Sequence, residues 1–106
     1  MDIVDTQLHL GPGPVEPALE EMDALGIASV LIEEFWVGGQ GDGPHDALMP
    51  GYRLPGGAWR SVYPTALSAS LRYPDRFGYF VRLDRRDPGL ESHMRTIAAE
   101  PGARGF

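Results

Sequence analysis

The sequence predicts an α/β fold built on parallel strands. Short apolar runs of strand length alternate with segments whose apolar residues recur every three or four positions, which is the spacing of one helix face. The resulting order is strand, helix, strand, helix, strand, helix, strand, as in βαβ units with right-handed crossovers. At 106 residues the chain forms at most one small domain.

The first predicted strand runs from Asp2 to Leu10 and stops at the breaker-rich segment 11–14. Side chains alternate across a strand, which predicts two faces: Ile3, Asp5, Gln7 and His9 on one, and Val4, Thr6, Leu8 and Leu10 on the other. Polar groups crowd the end of the first face. They form either the floor of a site or a solvent-exposed surface.

The first helix and second strand follow directly. Pro17 is tolerated only in a first turn, so the helix is predicted to begin near Glu16, and Gly26 supplies its stop. The helix has one apolar stripe, formed by Val15, Leu19, Met22 and Leu25. The nearly continuous apolar run from Ile27 to Ile32 is typical of a parallel strand covered on both faces.

Acidic and aromatic residues meet where the second strand ends, at Glu33, Glu34, Phe35 and Trp36. This group is either a solvated acidic pair beside a core aromatic or the lining of a pocket. In such sheets, substrates bind at the carboxyl ends of the parallel strands. Glu33 and Trp36 are therefore candidate substrate-binding residues.

Residues 37–60 are rich in glycine and proline and contain no periodic segment. A long loop without regular structure in a small domain is usually a lid, a binding loop or disorder. Aromatic anchors such as Tyr52 and Trp59 favour a lid over a disordered linker. His45 lies inside this segment, either solvated or touching a substrate, and is a further candidate binding residue.

The second half of the chain repeats the alternation. It predicts a second helix from Val62 to Tyr73, a third strand from Phe77 to Leu83, a third helix ending near Glu100, and the start of a fourth strand over Ala103 to Phe106. Ser61 is a candidate cap of the second helix, and Asp87 before Pro88 a cap of the third. Arg82, near the end of the third strand, is a candidate clamp for a substrate carboxylate.

Composition narrows the function classes. The chain has no cysteine, which excludes disulfides and thiolate ligands within it, and its net charge of −6 argues against a nucleic-acid partner. All nine basic residues are arginine, so Schiff-base chemistry through a lysine is also excluded. No apolar run is long enough for a membrane helix, and we expect no secretory signal. The expectation is therefore a cytoplasmic protein that acts on a small molecule.

Several segments together resemble one enzyme family. Asp5-Thr6-Gln7-Leu8-His9 is similar to the Asp-x-His-x-His signature that opens the amidohydrolase superfamily, specifically its amidohydrolase-2, or amidohydrolase-related, group. The stretches LEEMDALGIASVLI, YPDRFGYFVRLDRRDPG and EPGARGF look like later strands and helices of that group, in the same order. The likeness covers nearly the whole chain except the glycine- and proline-rich loop.

The resemblance implies a (β/α)8 barrel whose first strand helps to bind a divalent metal, expected to be zinc, through His9 and the position of Gln7. Some members of the group carry Asp-Thr-Gln-x-His. A glutamine carbonyl is a weaker zinc ligand than imidazole, so a metal-independent site is the alternative. The remaining ligands and the catalytic Asp are expected beyond Phe106.

A complete barrel takes about 250 residues, and this chain supplies about three βα units. We therefore expect the N-terminal part of a longer barrel, or a homo-oligomer in which another copy of the chain supplies strands. The expected function is hydrolysis of a small carbonyl compound such as a lactone, by metal-assisted attack of water. The alternatives are a non-oxidative decarboxylase or hydratase on the same barrel, and a truncated module without catalytic activity.

Overall fold

A four-stranded parallel sheet organises the molecule. The computed structural model describes residues 2–36 and 50–106 and confirms the predicted α/β class. The elements are β1 (Ile3–Leu10), α1 (Glu16–Leu25), β2 (Ile27–Glu34), β3 (Gly51–Arg53), β4 (Trp59–Ser61), α2 (Pro64–Arg72), β5 (Phe77–Phe80), α3 (Leu90–Ala98) and β6 (Ala103–Gly105). The parallel strands lie in the order β1-β2-β5-β6, which is also their order along the chain, while β3 and β4 pair as an antiparallel hairpin.

The apolar core lies on the face of the sheet that the helices cover. Val30 and Ile32 of β2 and Phe77 and Tyr79 of β5 are each at most 2% exposed. They pack in one cluster with side chains from each of the three described helices, among them Met22, Ala66, Ala69 and Ile97. Burying a side chain of this size contributes about 1.5–3 kcal/mol, so this layer fixes how the helices sit on the sheet.

The predicted bounds of the first helix are confirmed. Helix α1 begins at Glu16 with Pro17 in its first turn, and it ends at Gly26, which adopts a left-handed conformation (φ 70°). The Gly26 amide donates back to the carbonyls of Met22 and Asp23, which closes the last turn. The sequence predicts these limits well because Pro17 lies in the first turn of the helix and Gly26 directly follows its last residue.

The second helix begins later than predicted, and its predicted cap is wrong. Helix α2 starts at Pro64, and its first amides, those of Thr65 and Ala66, donate to the carboxylate of Glu34 at the end of β2 (3.2 and 2.9 Å). The Ser61 hydroxyl instead donates to the backbone oxygen of Arg82 (2.7 Å). The cap therefore comes from a strand that lies thirty or so residues earlier in the chain.

The third helix and third strand are also shorter than predicted. Helix α3 begins at Leu90 with Gly89 at its N-cap, and the Asp87 carboxylate accepts from the Gly89 amide (2.7 Å). Strand β5 ends at Phe80, three residues before the predicted Leu83. Strand β6 over Ala103–Gly105 confirms the predicted fourth strand.

Part of the predicted loop is a β-hairpin. Strands β3 and β4 pair in the register Gly51↔Ser61 and Arg53↔Trp59, so the prediction that 37–60 lacks regular structure is wrong for this part. A Cβ on Gly51 would lie 2.5 Å from the Trp59 indole nitrogen, so glycine is required where that ring packs. Residues 37–49, including His45, lie outside the described residues.

The hairpin is attached to the segment that follows β5. The Trp59 amide donates to the Asp84 carboxylate (2.9 Å), and Arg60 binds the Asp87 carboxylate through two nitrogens (2.7 and 2.8 Å). Asp87 is buried, with a side chain only 2% exposed. Bidentate arginine pairs are among the strongest charge-assisted contacts, so the hairpin is held firmly over the end of β5.

Glu100 joins the last helix to the sheet. The hydroxyl groups of Tyr63 and Tyr79 both donate to its carboxylate, and the two rings lie 5.3 Å apart. Burial, reinforced by these hydrogen bonds, raises the pKa of both phenols well above their usual range. Both tyrosines therefore stay protonated and act as donors at neutral pH.

No helix within residues 2–36 and 50–106 combines the length and the apolar composition needed to cross a membrane.

Replacing Glu34 with alanine should lower the free energy of unfolding by about 2–3 kcal/mol, because two helix amides and an indole N–H lose their acceptor. Glu34→Gln keeps one acceptor oxygen and should lose about half as much. Urea unfolding followed by circular dichroism measures both. The matched control is Glu20→Ala on the exposed side of α1, and equal losses in the two alanine variants would contradict the capping role of Glu34.

The hairpin attachment should weaken in acid. Hydrogen bonds from Arg86 lower the pKa of Asp84, and those from Arg60 lower the pKa of Asp87. A carboxyl group whose pKa is lowered by folding stabilises the folded state at pH values above its ordinary pKa of 3.8. This stabilisation is lost as the pH falls through the lower pKa of the folded state.

Stability measured by urea unfolding from pH 5 downward should therefore fall less steeply in Asp87→Asn than in the parent chain. The exposed turn residue Asp75 gives the control Asp75→Asn, which should keep the parent slope. An unchanged slope in Asp87→Asn would show that the Arg60 pair does not carry the acid sensitivity.

Candidate functional site

Three polar side chains converge at the carboxyl edge of the sheet. His9 of β1 lies directly beside Glu33 of β2, and Glu33 lies beside Phe80 of β5. Arg82 follows Phe80 by two residues in the chain. Because parallel strands all leave the sheet at the same edge, these side chains come from three neighbouring strand ends. The structure therefore brings together three of the predicted site residues, His9, Glu33 and Arg82.

Glu33 is the centre of this group. Its Oε1 lies 2.5 Å from the Arg82 Nε, and its Oε2 lies 3.7 Å from the His9 Nδ1. The same His9 nitrogen is 3.4 Å from the Glu33 backbone oxygen. The distance to the carboxylate is longer than an ordinary hydrogen bond, so the imidazole lies beside the Glu33 carboxylate without being locked to it.

The group is open to solvent and has apolar neighbours. The side chains of His9, Glu33 and Arg82 are 43%, 26% and 40% exposed. The ring of Phe35 lies 5.2 Å from the His9 ring, centroid to centroid, and tilted by 46°. A small molecule can therefore reach the charged groups while an aromatic ring limits how the imidazole turns.

The β3–β4 hairpin forms one wall beside Glu33 and Arg82. A small cleft is lined by these two residues together with Phe80, Ser61 and Pro50. The hydrogen bond from the Ser61 hydroxyl to the Arg82 carbonyl fixes the backbone from which the arginine projects. The hairpin therefore both shapes the cleft and positions Arg82.

The first strand does not alternate as predicted. Asp5 pairs with the buried Val30, whereas Leu8 pairs with Ile32, so two residues of β1, Thr6 and Gln7, oppose one of β2, Leu31. This irregularity moves Asp5 to the row of a core residue, and the prediction that it shares a face with His9 is wrong. The Asp5 carboxylate accepts from the Gln7 amide (2.9 Å), which holds the irregular stretch.

The fit of a metal to this site depends on its donors. Among the described residues there is no group of three or more His, Asp or Glu side chains that could hold a metal ion. His9 offers one imidazole, the neighbouring carboxylate of Glu33 is engaged by Arg82, and Gln7 lies in the irregular stretch. A catalytic zinc site takes three protein ligands, so these residues alone do not make one.

Trp36 is placed elsewhere. Its indole N–H donates to Glu34 (2.8 Å), the carboxylate that also caps α2, so the structure does not bring it together with Glu33 and Arg82. Glu34 itself is 6% exposed, so the interpretation of Glu33 and Glu34 as a solvated pair is wrong for this residue.

Two contributors were missed from the sequence. Phe80, the last residue of β5, pairs with Glu33 and lies two positions before Arg82, a closeness in sequence that was available as a signal. Ser61 gave no such signal, because its contact depends on how the hairpin docks against the end of β5.

Comparison of the chain with models of known protein families, with curated proteins and with solved structures finds no match.

Replacing Arg82 with methionine, or Glu33 with glutamine, should change the free energy of unfolding by less than about 1 kcal/mol, because ion pairs this exposed contribute little to stability. Urea unfolding of both variants tests this, with Arg95→Met on the surface of α3 as the matched control. A loss above about 2 kcal/mol would mean that the pair serves the fold rather than a ligand.

Proposed function

We propose that the protein is a hydrolase of the amidohydrolase-related type that acts on a small carbonyl compound bearing a carboxylate, such as a lactone of a hydroxy acid. One observation carries the proposal: an imidazole, a carboxylate and a guanidinium meet at the carboxyl ends of three adjacent parallel strands. That edge is where α/β enzymes bind their substrates. The resemblance of the Asp5 to His9 segment to the family signature supports the same reaction class.

His9 is the proposed proton acceptor. Its Nδ1 faces the Glu33 carboxylate and backbone oxygen, which leaves Nε2 to meet a water molecule. As water attacks the lactone carbonyl carbon, Nε2 takes one of its protons. The imidazolium then returns that proton to the ring oxygen as the carbon–oxygen bond breaks, and the product is the open-chain hydroxy acid.

Glu33 and Arg82 have supporting roles in this proposal. The Glu33 carboxylate stabilises the positive charge that His9 gains during the attack. Arg82, which is 40% exposed beside it, binds the substrate carboxylate. The described residues do not complete a metal site, so each step is assigned to side chains of this chain.

We also propose that the sheet belongs to a (β/α)8 barrel. Among the described strands the order follows the chain order without a reversal. Side chains of the three described helices join the core on one face of the sheet, as in a singly wound barrel. The gene sequence beyond the codon for Phe106 tests this. Further βα units that carry histidine and a terminal aspartate would support it, and an immediate stop codon would exclude a single-chain barrel.

Hydrolysis is tested by measuring acid release from a panel of five- and six-membered lactones in a pH-stat. His9→Ala should lower kcat/KM by about 10²–10⁴-fold, and Glu33→Gln should lower kcat more than it raises KM, since Glu33 acts through His9. Arg82→Met should mainly raise KM. The surface variant Glu91→Gln is the matched control for Glu33→Gln and should keep full activity.

Product analysis and metal analysis separate the alternatives. Carbon dioxide released from a carboxylic acid, with no acid released from lactones, would replace hydrolysis by the decarboxylase alternative. A stoichiometric metal that is lost in His9→Ala would make His9 a ligand instead of the base. If neither the lactones nor the acids react, both enzyme proposals are overturned, and the module without catalytic activity is the alternative that is left.

A further inference from the structure

A second cleft lies behind the hairpin. It has a volume of about 400 Å³ and is lined by residues that include Tyr52, Arg60, Tyr63, Leu67 and His93. The segment from Ser61 to Tyr63 forms a common wall between this cleft and the smaller one beside Glu33 and Arg82. A volume of this size suits a molecule with one or two rings.

The walls of the second cleft are apolar and aromatic. Leu67 of α2 lies beside Val62 and Pro64, and the phenol rings of Tyr52 and Tyr63 complete the lining. The Tyr63 hydroxyl is already committed as a donor to Glu100 (2.9 Å), so its ring rather than its oxygen faces a ligand. Flat apolar surfaces of this kind favour a planar ring.

Hydrogen-bonding groups are present without an excess of charge. Arg60 pairs in bidentate fashion with Asp87, whose side chain is 2% exposed, so its positive charge is neutralised from behind. The pair uses the Nε and one terminal nitrogen, and Tyr52 also hydrogen-bonds to Arg60. A guanidinium has five N–H donors, so the remaining ones can serve a ligand. A charged ligand in this cleft meets no net opposite charge, because the Arg60 guanidinium is already paired with Asp87.

His93 adds an acceptor. Its Nε2 is buried and has no hydrogen-bond partner within the part of the chain that the structure describes. Burial, with Arg60 nearby, lowers the pKa of His93, so the ring is neutral at pH 7 and its second nitrogen can accept a proton donor from a ligand. The charged groups that act on His93 are Arg60, Asp87 and Glu100.

We propose that this cleft binds small uncharged aromatic amides. In this proposal the ring packs between Leu67 and the tyrosines, and the amide oxygen accepts from Arg60. The amide nitrogen donates to His93 once that ring turns its buried Nε2 toward the cleft. The cleft is separate from the His9, Glu33 and Arg82 group, so this binding stands or falls independently of the proposed hydrolase.

Three molecules of the same shape and different charge test the proposal: benzamide, benzoate and benzamidine. Each is titrated at pH 7 into the ¹⁵N-labelled 106-residue chain, and amide shifts are recorded by NMR. Benzamide should cause saturable shifts around residues 60–67 and at His93, with a dissociation constant on the order of 1 mM. Benzoate and benzamidine should each bind at least about 5-fold more weakly.

Two variants locate the site. Tyr52→Ala, on the exposed hairpin, and His93→Phe, which keeps the ring but removes the acceptor, should each weaken benzamide binding by about 3–10-fold. Leu71→Ala is the matched control, because Leu71 lies on the exposed side of the same helix as Leu67. The proposal is overturned by no saturable shift at about 10 mM benzamide, by equal binding of the three molecules, or by parent affinity in both cleft variants.

Discussion

The buried carboxylate of Glu34 is the contact on which the arrangement depends. It ends β2, accepts from the first two free amides of α2, and holds the indole of Trp36. A buried carboxylate is tolerable only when donors surround it, and here three N–H groups do so. Because this single group fixes where α2 begins, it also fixes the Ser61 to Tyr63 segment and, with it, the wall shared by the two clefts.

Two adjacent residues of β2 have different roles: Glu34 supports the fold, and Glu33 belongs to the candidate site. Glu33 and Glu34 point to opposite faces of β2, so one carboxylate meets His9 and Arg82 at the open edge while the other is sealed against α2. The ion pair between Glu33 and Arg82 is partly exposed and contributes little to stability. The buried Glu34 carboxylate stabilises the fold. Charged groups at the edge can therefore be tuned for a ligand without loosening the core.

The sequence predicts a feature well when the residues that determine it are close together in the chain, and poorly when they are far apart. The limits of α1 were predictable because Pro17 and Gly26 act within their own turns. The start of α2 was not, because its cap comes from Glu34, and the hairpin was hidden because Gly51 looks like a breaker until Trp59 packs on it. The alternation of β1 failed at Asp5, since an irregularity in register leaves no trace in a pattern of period two. For the candidate site, the sequence places His9, Glu33 and Arg82 near strand ends. It does not show that His9 and Arg82 both contact the Glu33 carboxylate, because that depends on the register between the strands.

The agreement between strand order and chain order has a consequence for synthesis on the ribosome. In a sheet ordered β1-β2-β5-β6, each strand after the first pairs with a strand that the ribosome has already synthesised. Among these four described strands, none leaves a gap between neighbours that a strand encoded later must fill, as happens in sheets whose order reverses. The fold can therefore grow outward from β1 while translation continues, with the newest strand always at the free edge and its unpaired backbone exposed for the shortest time.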